Sequence, residues 1–292
     1  MKELLVISGK GGTGKTSITV SLAALAENAI FADCDVDAAD MALILKPQEQ
    51  EAEDFYSGSL ASIDASRCMG CGKCYRLCRF DAIRGEEGEF SVDPLACEGC
   101  GVCYDHCPVK AITFEPRLCG ELYVSSTSYG PLVHARLGAG GENSGKLVSE
   151  VKQRAKALGE EQGCSLMITD GPPGIGCSVI ASLTGADAVL IVTEPTVSGM
   201  HDLERVYELC RHFRIPTYLC VNKADLNTEN TQKIRAFGEK KRVQWLGEIP
   251  YDASVTKAMI QTMPVVCMEG SSAGKAILTI WEMLKNERPL FQ

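Results

Sequence analysis

The sequence has no apolar run long enough to cross a bilayer, and its opening residues, Met1 to Ser8, lead straight into a glycine loop with no room for a signal-peptide cleavage region. The expectation is a cytoplasmic protein without stable membrane insertion. Positive charge is also scarce: 29 Lys and Arg stand against 38 Asp and Glu, a net charge of -9. That balance argues against a general binder of phosphate backbones, so nucleic acid is not an expected partner. The four histidines, His106, His134, His201 and His212, show no ligand spacing and read as structural.

Cysteine, by contrast, is abundant. Fifteen in 292 residues would suit disulfides in a secreted chain, but eight of them fall at regular three- and four-residue steps, which reads as metal ligation. With 45% hydrophobic residues the chain can build one large core, plus a small domain if something besides apolar burial stabilises it.

Strand candidates at 3–8, 29–32, 122–125, 132–137, 166–169, 188–193 and 217–221 alternate with helix candidates at 16–27, 146–161, 202–213 and 274–285. This predicts an α/β fold with a mostly parallel sheet covered on both faces. After Lys46-Pro47 the composition turns acidic and polar through residues 49–54, and the cysteine-rich block follows at 68–107. The expected organisation is a discontinuous nucleotide-binding domain, 1–59 and 119–292, interrupted by an insert at 60–118.

Gly9-Lys10-Gly11-Gly12-Thr13-Gly14-Lys15-Thr16 has the spacing of a phosphate-binding P-loop, with a strand before it and a helix after it. Glycines let backbone N–H groups turn inward around phosphate oxygens, and the helix N-terminus adds a positive dipole. The expected nucleotide-binding set is Gly9 to Thr16 with Ser17, in which Lys15 reaches the β and γ phosphates and Thr16 ligates Mg2+. A second stretch, Gly140-Gly141-Glu142-Asn143-Ser144-Gly145-Lys146-Leu147, imitates the spacing but puts Leu147 where the metal needs a hydroxyl, so it reads as a helix N-terminal loop.

Two further strand ends carry acids. Asp170 follows the strand at 166–169, where a carboxylate holds Mg2+ through water, and Asp33-Cys34-Asp35 closes the strand beside the first loop. Val221-Asn222-Lys223-Ala224-Asp225 ends another strand with the Asn-Lys-x-Asp spacing of guanine readers, which leaves GTP open beside ATP.

Cys68-x2-Cys71-x2-Cys74-x3-Cys78 is echoed by Cys97-x2-Cys100-x2-Cys103-x3-Cys107-Pro108, an internal repeat with bacterial ferredoxin spacing. In that arrangement the fourth cysteine of each run serves the other cluster. The assignment is one 4Fe-4S cluster on Cys68, Cys71, Cys74 and Cys107, and a second on Cys78, Cys97, Cys100 and Cys103. Zinc is the alternative, but three cysteines at successive two-residue gaps plus a fourth fit iron-sulfur chemistry better. Arg79 replaces the expected Pro after Cys78 and bears on the potential of that cluster. Of the other seven, Cys34, Cys119, Cys164, Cys177, Cys210, Cys220 and Cys267, most read as small buried hydrophobes.

Taken together, the P-loop with its extra Lys10, Asp170-Gly171-Pro172-Pro173-Gly174-Ile175-Gly176, the duplicated cysteine runs and Gly247-Glu248-Ile249-Pro250-Tyr251-Asp252 resemble the MinD, ParA, Mrp and nitrogenase iron protein class of P-loop ATPases, with an α+β bacterial-ferredoxin-like domain inserted. The resemblance covers essentially the whole chain. It implies a deviant Walker A loop whose Lys10 crosses a nucleotide-sandwich dimer to the partner's phosphates. It further implies Asp35 as the residue that positions the attacking water, with Asp33, Asp37 and Asp40 as helpers, Asn222 against adenine and Pro250 against the base. The ligands it implies are ATP, ADP and Mg2+ beside two 4Fe-4S clusters. The partners are a second copy or a paralogue, and a small NifX-like metallocluster protein or redox acceptor.

The nitrogenase iron protein has a bridging-cluster ligand at the position of Cys177, but its second ligand falls in the loop at 139–145, which holds no cysteine here, so a bridging cluster is disfavoured. MinD has a C-terminal amphipathic membrane helix, whereas 276–284 reads as a core helix and the tail 286–292 is short and broken by Pro289. The function this implies couples ATP binding and hydrolysis to electron transfer, in metallocofactor or iron-sulfur cluster assembly. The alternatives are an ATP-dimer scaffold with sensing or structural clusters, and an Mrp-like cluster carrier.

Overall fold

A computed structural model describes residues 1–86, 88–138, 143–287 and 290. Part of the second glycine-rich stretch, 140–142, and four residues of the C-terminal tail lie outside the described residues.

The chain opens with β1 (Lys2–Ser8), α1 (Lys15–Leu25), β2 (Ala29–Asp33), α2 (Met41–Leu45) and the long β3 (Gln48–Ile63). The cysteine-rich segment contributes α3 (Lys73–Leu77), β4 (Ile83–Glu86), β5 (Glu89–Val92) and α4 (Val102–Asp105). After β6 (Ile112–Thr127) and β7 (Gly130–Leu137) come α5 (Ser144–Glu161), β8 (Leu166–Pro173), α6 (Cys177–Leu183), β9 (Ala188–Thr193) and α7 (Val197–Phe213). The chain closes with β10 (Thr217–Asn222), α8 (Thr228–Lys241), β11 (Gln244–Ile249), α9 (Ala253–Ile260) and α10 (Ser272–Lys285).

Among the described residues the main sheet has nine strands in the order β11-β10-β9-β1-β8-β2-β7-β6-β3, and the pairs from β11 to β7 are parallel. Successive side chains on a strand face opposite sides, so a central strand covered by helices on both faces needs apolar residues at every position. β1 meets this requirement, since Leu4, Leu5, Val6 and Ile7 are all fully buried. Leu4 and Val6 pack with Ile18 and Leu22 of α1 and with Ile277, Ile280 and Trp281 of α10. Leu5 and Ile7 pack on the other side with Val179 and Leu183 of α6, Leu203 and Val206 of α7, and Ile234 of α8. α10 is therefore a core helix, and no helix among the described residues is long and apolar enough to cross a membrane.

Two compact units result: Met1–Glu53 with Leu122–Arg136 and Ser144–Gln292, and Asp54–Glu121 with Leu137–Asn143. The acidic stretch 49–54, to which the sequence assigns no element, belongs to β3, and the short strand expected at 122–125 lies within the sixteen-residue β6. In the second unit the Asp64 N–H donates to the Ala111 carbonyl at 2.8 Å and the Cys119 thiol to the Ser57 carbonyl at 3.2 Å, so the numbering of the two strands runs in opposite senses.

The repeat seen in the sequence is repeated in hydrogen bonds. The Asp64 carbonyl accepts from Cys68 N–H and its carboxylate from Ser66 N–H; 29 residues on, Asp93 does the same for Cys97 and Leu95. Each copy then turns on glycines with left-handed backbone, Gly70 and Gly72 in one, Gly99 and Gly101 in the other, into a single helical turn, and pairs a tyrosine with a phenylalanine, Tyr75 with Phe90 and Tyr104 with Phe114.

Candidate functional site

The loop between β1 and α1 surrounds the N-terminus of α1, where the first backbone N–H groups have no helical partner. Gly14, the residue before the helix, has φ 85°, and a Cβ there would stand 2.3 Å from the Asn222 side-chain nitrogen. Glycine at this position therefore has two causes, backbone hand and close approach. Asn222 donates to the Thr13 carbonyl at 2.7 Å, and Lys223 to the Gly12 carbonyl at 3.2 Å, so the end of β10 braces the loop.

Lys15 is the centre of charge. It is buried, its ammonium lies 2.8 Å from Asp170 and 3.5 Å from Asp35, and Asp170 also accepts from Thr16 at 2.7 Å and Thr19 at 2.8 Å. Burial pulls the Lys15 pKa down, but the attraction of Asp170 and Asp35 outweighs it and the net direction is up. Asp35 is raised above an ordinary carboxylate by burial, against the pull of Lys15. Asp33 is raised well above its usual value, first by complete burial and then by Asp170. Its carboxylate accepts from the backbone of Asp35 and Met41, both at 3.1 Å. Asp33 thus fixes the turn that aims Asp35, while Asp37 and Asp40 line the cavity beside Asp35.

The cavity has a volume of about 560 Å3 and is lined by residues 11–17 of the loop, Asp35, Pro172 and Pro173, Asn222, and Pro250 to Asp252. It also takes in Val255 and Met259 of α9, which carry no motif in the sequence. Ser17 lines it and contacts the Met259 sulfur at 3.6 Å. Gly9 packs instead against Asp202 of α7, where a Cβ would come within 2.4 Å. The Thr13 hydroxyl is buried in the loop with no partner, an unmet polar group of the kind a phosphate oxygen satisfies. With three carboxylates, Asp33, Asp35 and Asp170, around one lysine, and Thr16 beside Asp170, the donor set suits a hard divalent cation with oxygen ligands.

Lys10 points elsewhere. It is paired with the carboxylate of Glu194 at the end of β9 and donates to Thr196 at 3.3 Å and Ser198 at 3.1 Å. Glu194 also receives Lys223 at 3.3 Å, and these two lysines hold its carboxyl below the usual range against the effect of burial. Glu194 stands alone in the sequence with no motif around it. Asp225 is engaged too: its carboxylate accepts the Tyr251 N–H at 2.6 Å, fixing the segment that carries Pro250. Asp252 accepts from Ser254 at 2.8 Å, Ser271 at 2.9 Å and Ala273 at 3.1 Å, tying the starts of α9 and α10 together.

In the second unit, one small cavity is lined by Cys68, Cys71, Cys74 and Cys107, and another by Cys78, Cys97, Cys100 and Cys103. The fourth cysteine of each run crosses to the other cavity. Backbone N–H groups already face sulfur, Gly70 on Cys68 at 3.5 Å and Ala111 on Cys107 at 3.3 Å. Four thiols line each of two apolar cavities, and the two peptide donors both serve the cavity of Cys68 and Cys107; this lining suits a thiolate-ligated cluster. All fifteen cysteines are free, and among the described residues no three His, Cys, Asp or Glu side chains converge on a single ion position. Of the seven other cysteines, Cys34, Cys119, Cys210 and Cys220 are buried, whereas Cys177, at the start of α6, and Cys267 are exposed.

Residues 61–114 match the 4Fe-4S dicluster domain family. An uncharacterised protein of Methanocaldococcus jannaschii is 34% identical over 286 residues, 97% of this chain and 96% of its own. An iron-sulfur cluster carrier protein of Pyrococcus horikoshii is 26% identical over 98% of this chain and 86% of its own. Among solved structures, the septum site-determining protein MinD of Pyrococcus horikoshii, complexed with Mg-ADP, superposes with a TM-score of 0.58 at 16% identity, covering 98% of this chain and 96% of that one.

Proposed function

Because the chain belongs to the MinD/ParA-type P-loop ATPases that carry a ferredoxin domain, we propose that it binds and hydrolyses ATP and couples the nucleotide state to electron transfer through two 4Fe-4S clusters. The observation that carries this reading is the presence, in one chain, of the Lys15, Asp170 and Thr16 constellation and two cavities each lined by four cysteines.

In the nucleotide pocket, the loop N–H groups and Lys15 take the β and γ phosphates, while Thr16 and Asp170 would hold Mg2+. When bound, the cation neutralises charge on the phosphate oxygens. Asp35, whose pKa burial raises above that of an ordinary carboxylate and which is aimed by Asp33, orients the attacking water. The Asn222 and Pro250 region takes the base. Adenine is favoured because one oxygen of Asp225, whose carboxylate a guanine reader needs for two hydrogen bonds, already accepts the Tyr251 N–H. Lys10 serves a second subunit, a copy or a paralogue, after release from Glu194.

The cluster domain, 60–118 in this reading, holds one cluster on Cys68, Cys71, Cys74 and Cys107 and another on Cys78, Cys97, Cys100 and Cys103. β3 and β6 contribute residues to both compact units. A nucleotide drives such a change only through different affinities for two conformations, so cluster potential or partner affinity must differ between ATP and ADP states. The client is a redox acceptor or a small metallocluster protein of NifX type. The setting is the cytosol, whose reducing conditions keep thiolates available.

The similarity to an iron-sulfur cluster carrier supports a second reading, in which a whole cluster is handed on. The test is ATP hydrolysis with the clusters oxidised and then reduced, together with an assay for iron-sulfur transfer to an apo-acceptor. Coupling predicts different rates and no transfer. Equal rates with transfer favour the carrier.

A further inference from the structure

The two halves of the cluster domain share a backbone but not a charge. Position by position, Met69 stands where the second copy has Glu98, Lys73 where it has Val102, and Arg76 where it has Asp105. These differences reach the cavities: Lys73 lines the cavity of Cys68, Cys71, Cys74 and Cys107, and Glu98 lines the other. Arg76 adds a hydrogen bond to the Cys71 carbonyl at 3.3 Å. Arg117 makes the same bond to the Cys97 carbonyl, also at 3.3 Å, and Arg79 follows Cys78, so the second cavity is not free of cations. With all of these counted, it still carries less positive charge than the first.

Reduction adds one negative charge to a cluster. A nearby cation stabilises the reduced form and raises the potential, and an anion lowers it. We propose that the site of Cys68, Cys71, Cys74 and Cys107 has the higher reduction potential and that Lys73 and Glu98 set the order. One electron then passes from the site of Cys78, Cys97, Cys100 and Cys103, which is oxidised, to the Lys73 site, which is reduced. This inference rests on reading the eight cysteines as two 4Fe-4S sites. Lys73 and Glu98 are both exposed, so their influence is screened by salt and their replacement leaves no buried gap.

The test is an anaerobic redox titration of the full-length, metallated protein with dithionite, followed by EPR, after iron has been counted. The variants are K73V and E98M, each of which copies the residue at the matching position of the other repeat. The wild type should give two waves; K73V should lower the upper wave alone, E98M should raise the lower wave alone, and both shifts should shrink as ionic strength rises. A single wave in the wild type, a K73V shift in the lower wave, or no shift in either variant overturns the inference when eight irons per chain are present. Fewer than eight irons in the wild type overturns the cluster reading itself.

Discussion

The Lys10 ammonium is paired with the carboxylate of Glu194 in its own chain, with Thr196 and Ser198 as further acceptors. A lysine that serves a second subunit has to leave this pairing first. In E194Q the charge is removed while the shape is kept, which weakens the hold by about 1–2 kcal/mol for a partly exposed pair. ATP-dependent dimerisation, measured by sedimentation, should then occur at roughly five- to thirtyfold lower protein concentration. An unchanged or higher concentration would mean that Glu194 does not restrain Lys10.

Asp35 is predicted to act in hydrolysis rather than in binding. Asp35→Asn should bind ATP within a few-fold of wild type while kcat falls by about a hundredfold or more. Equilibrium binding and phosphate release would separate the two. Asp33→Asn should behave differently. Its single amide oxygen can accept only one of the two backbone N–H groups in the present geometry and its NH2 faces the other, so lower stability should accompany any loss of rate.

Much of this pocket was legible in the sequence because a phosphate site is built from consecutive residues: a strand, a glycine loop and a helix start. The cysteine cavities were legible for the same reason, and the crossing of Cys78 and Cys107 follows from the repeat. Glu194 was not, since it acts by meeting Lys10 and Lys223 across the sheet and has no local pattern. β3 was missed because its first residues are polar and acidic, with 51–54 exposed, so its sequence offers no apolar alternation to read. α7 begins at Val197, five residues before the helix expected at 202–213, because the Thr196 side chain caps it by accepting from the Gly199 N–H at 2.9 Å.

Base selection should be insensitive to Asp225 as a reader and sensitive to it as a brace. Asp225→Ala frees the Tyr251 N–H, and ATP affinity should fall several-fold, with ATP still preferred to GTP. Competition binding with both nucleotides checks this. Tight GTP binding in the wild type, lost in the variant, would show Asp225 reading guanine.

His134 gives a pH prediction. It is buried, bonded to Ser125 at 3.3 Å and stacked on Tyr123, and burial first, then Arg136, pushes its pKa down to about 4 from 6.5. A depressed histidine is neutral in the folded chain while the unfolded chain takes up a proton, so its stabilising effect is full above pH 6.5 and is lost as pH falls toward 4. Between pH 7.5 and 5.5 the wild type should lose about 1 kcal/mol more stability than His134→Gln, measured by anaerobic urea unfolding. Parallel losses would place the titration elsewhere.

The most direct test of coupling is the EPR-monitored redox titration of the fully metallated protein, repeated with Mg2+ and ATP, with ADP and with a non-hydrolysable analogue. The account predicts that the midpoint or line shape of at least one cluster differs between the ATP-like and ADP states. Identical midpoints and line shapes in all three, with nucleotide binding verified, would contradict it.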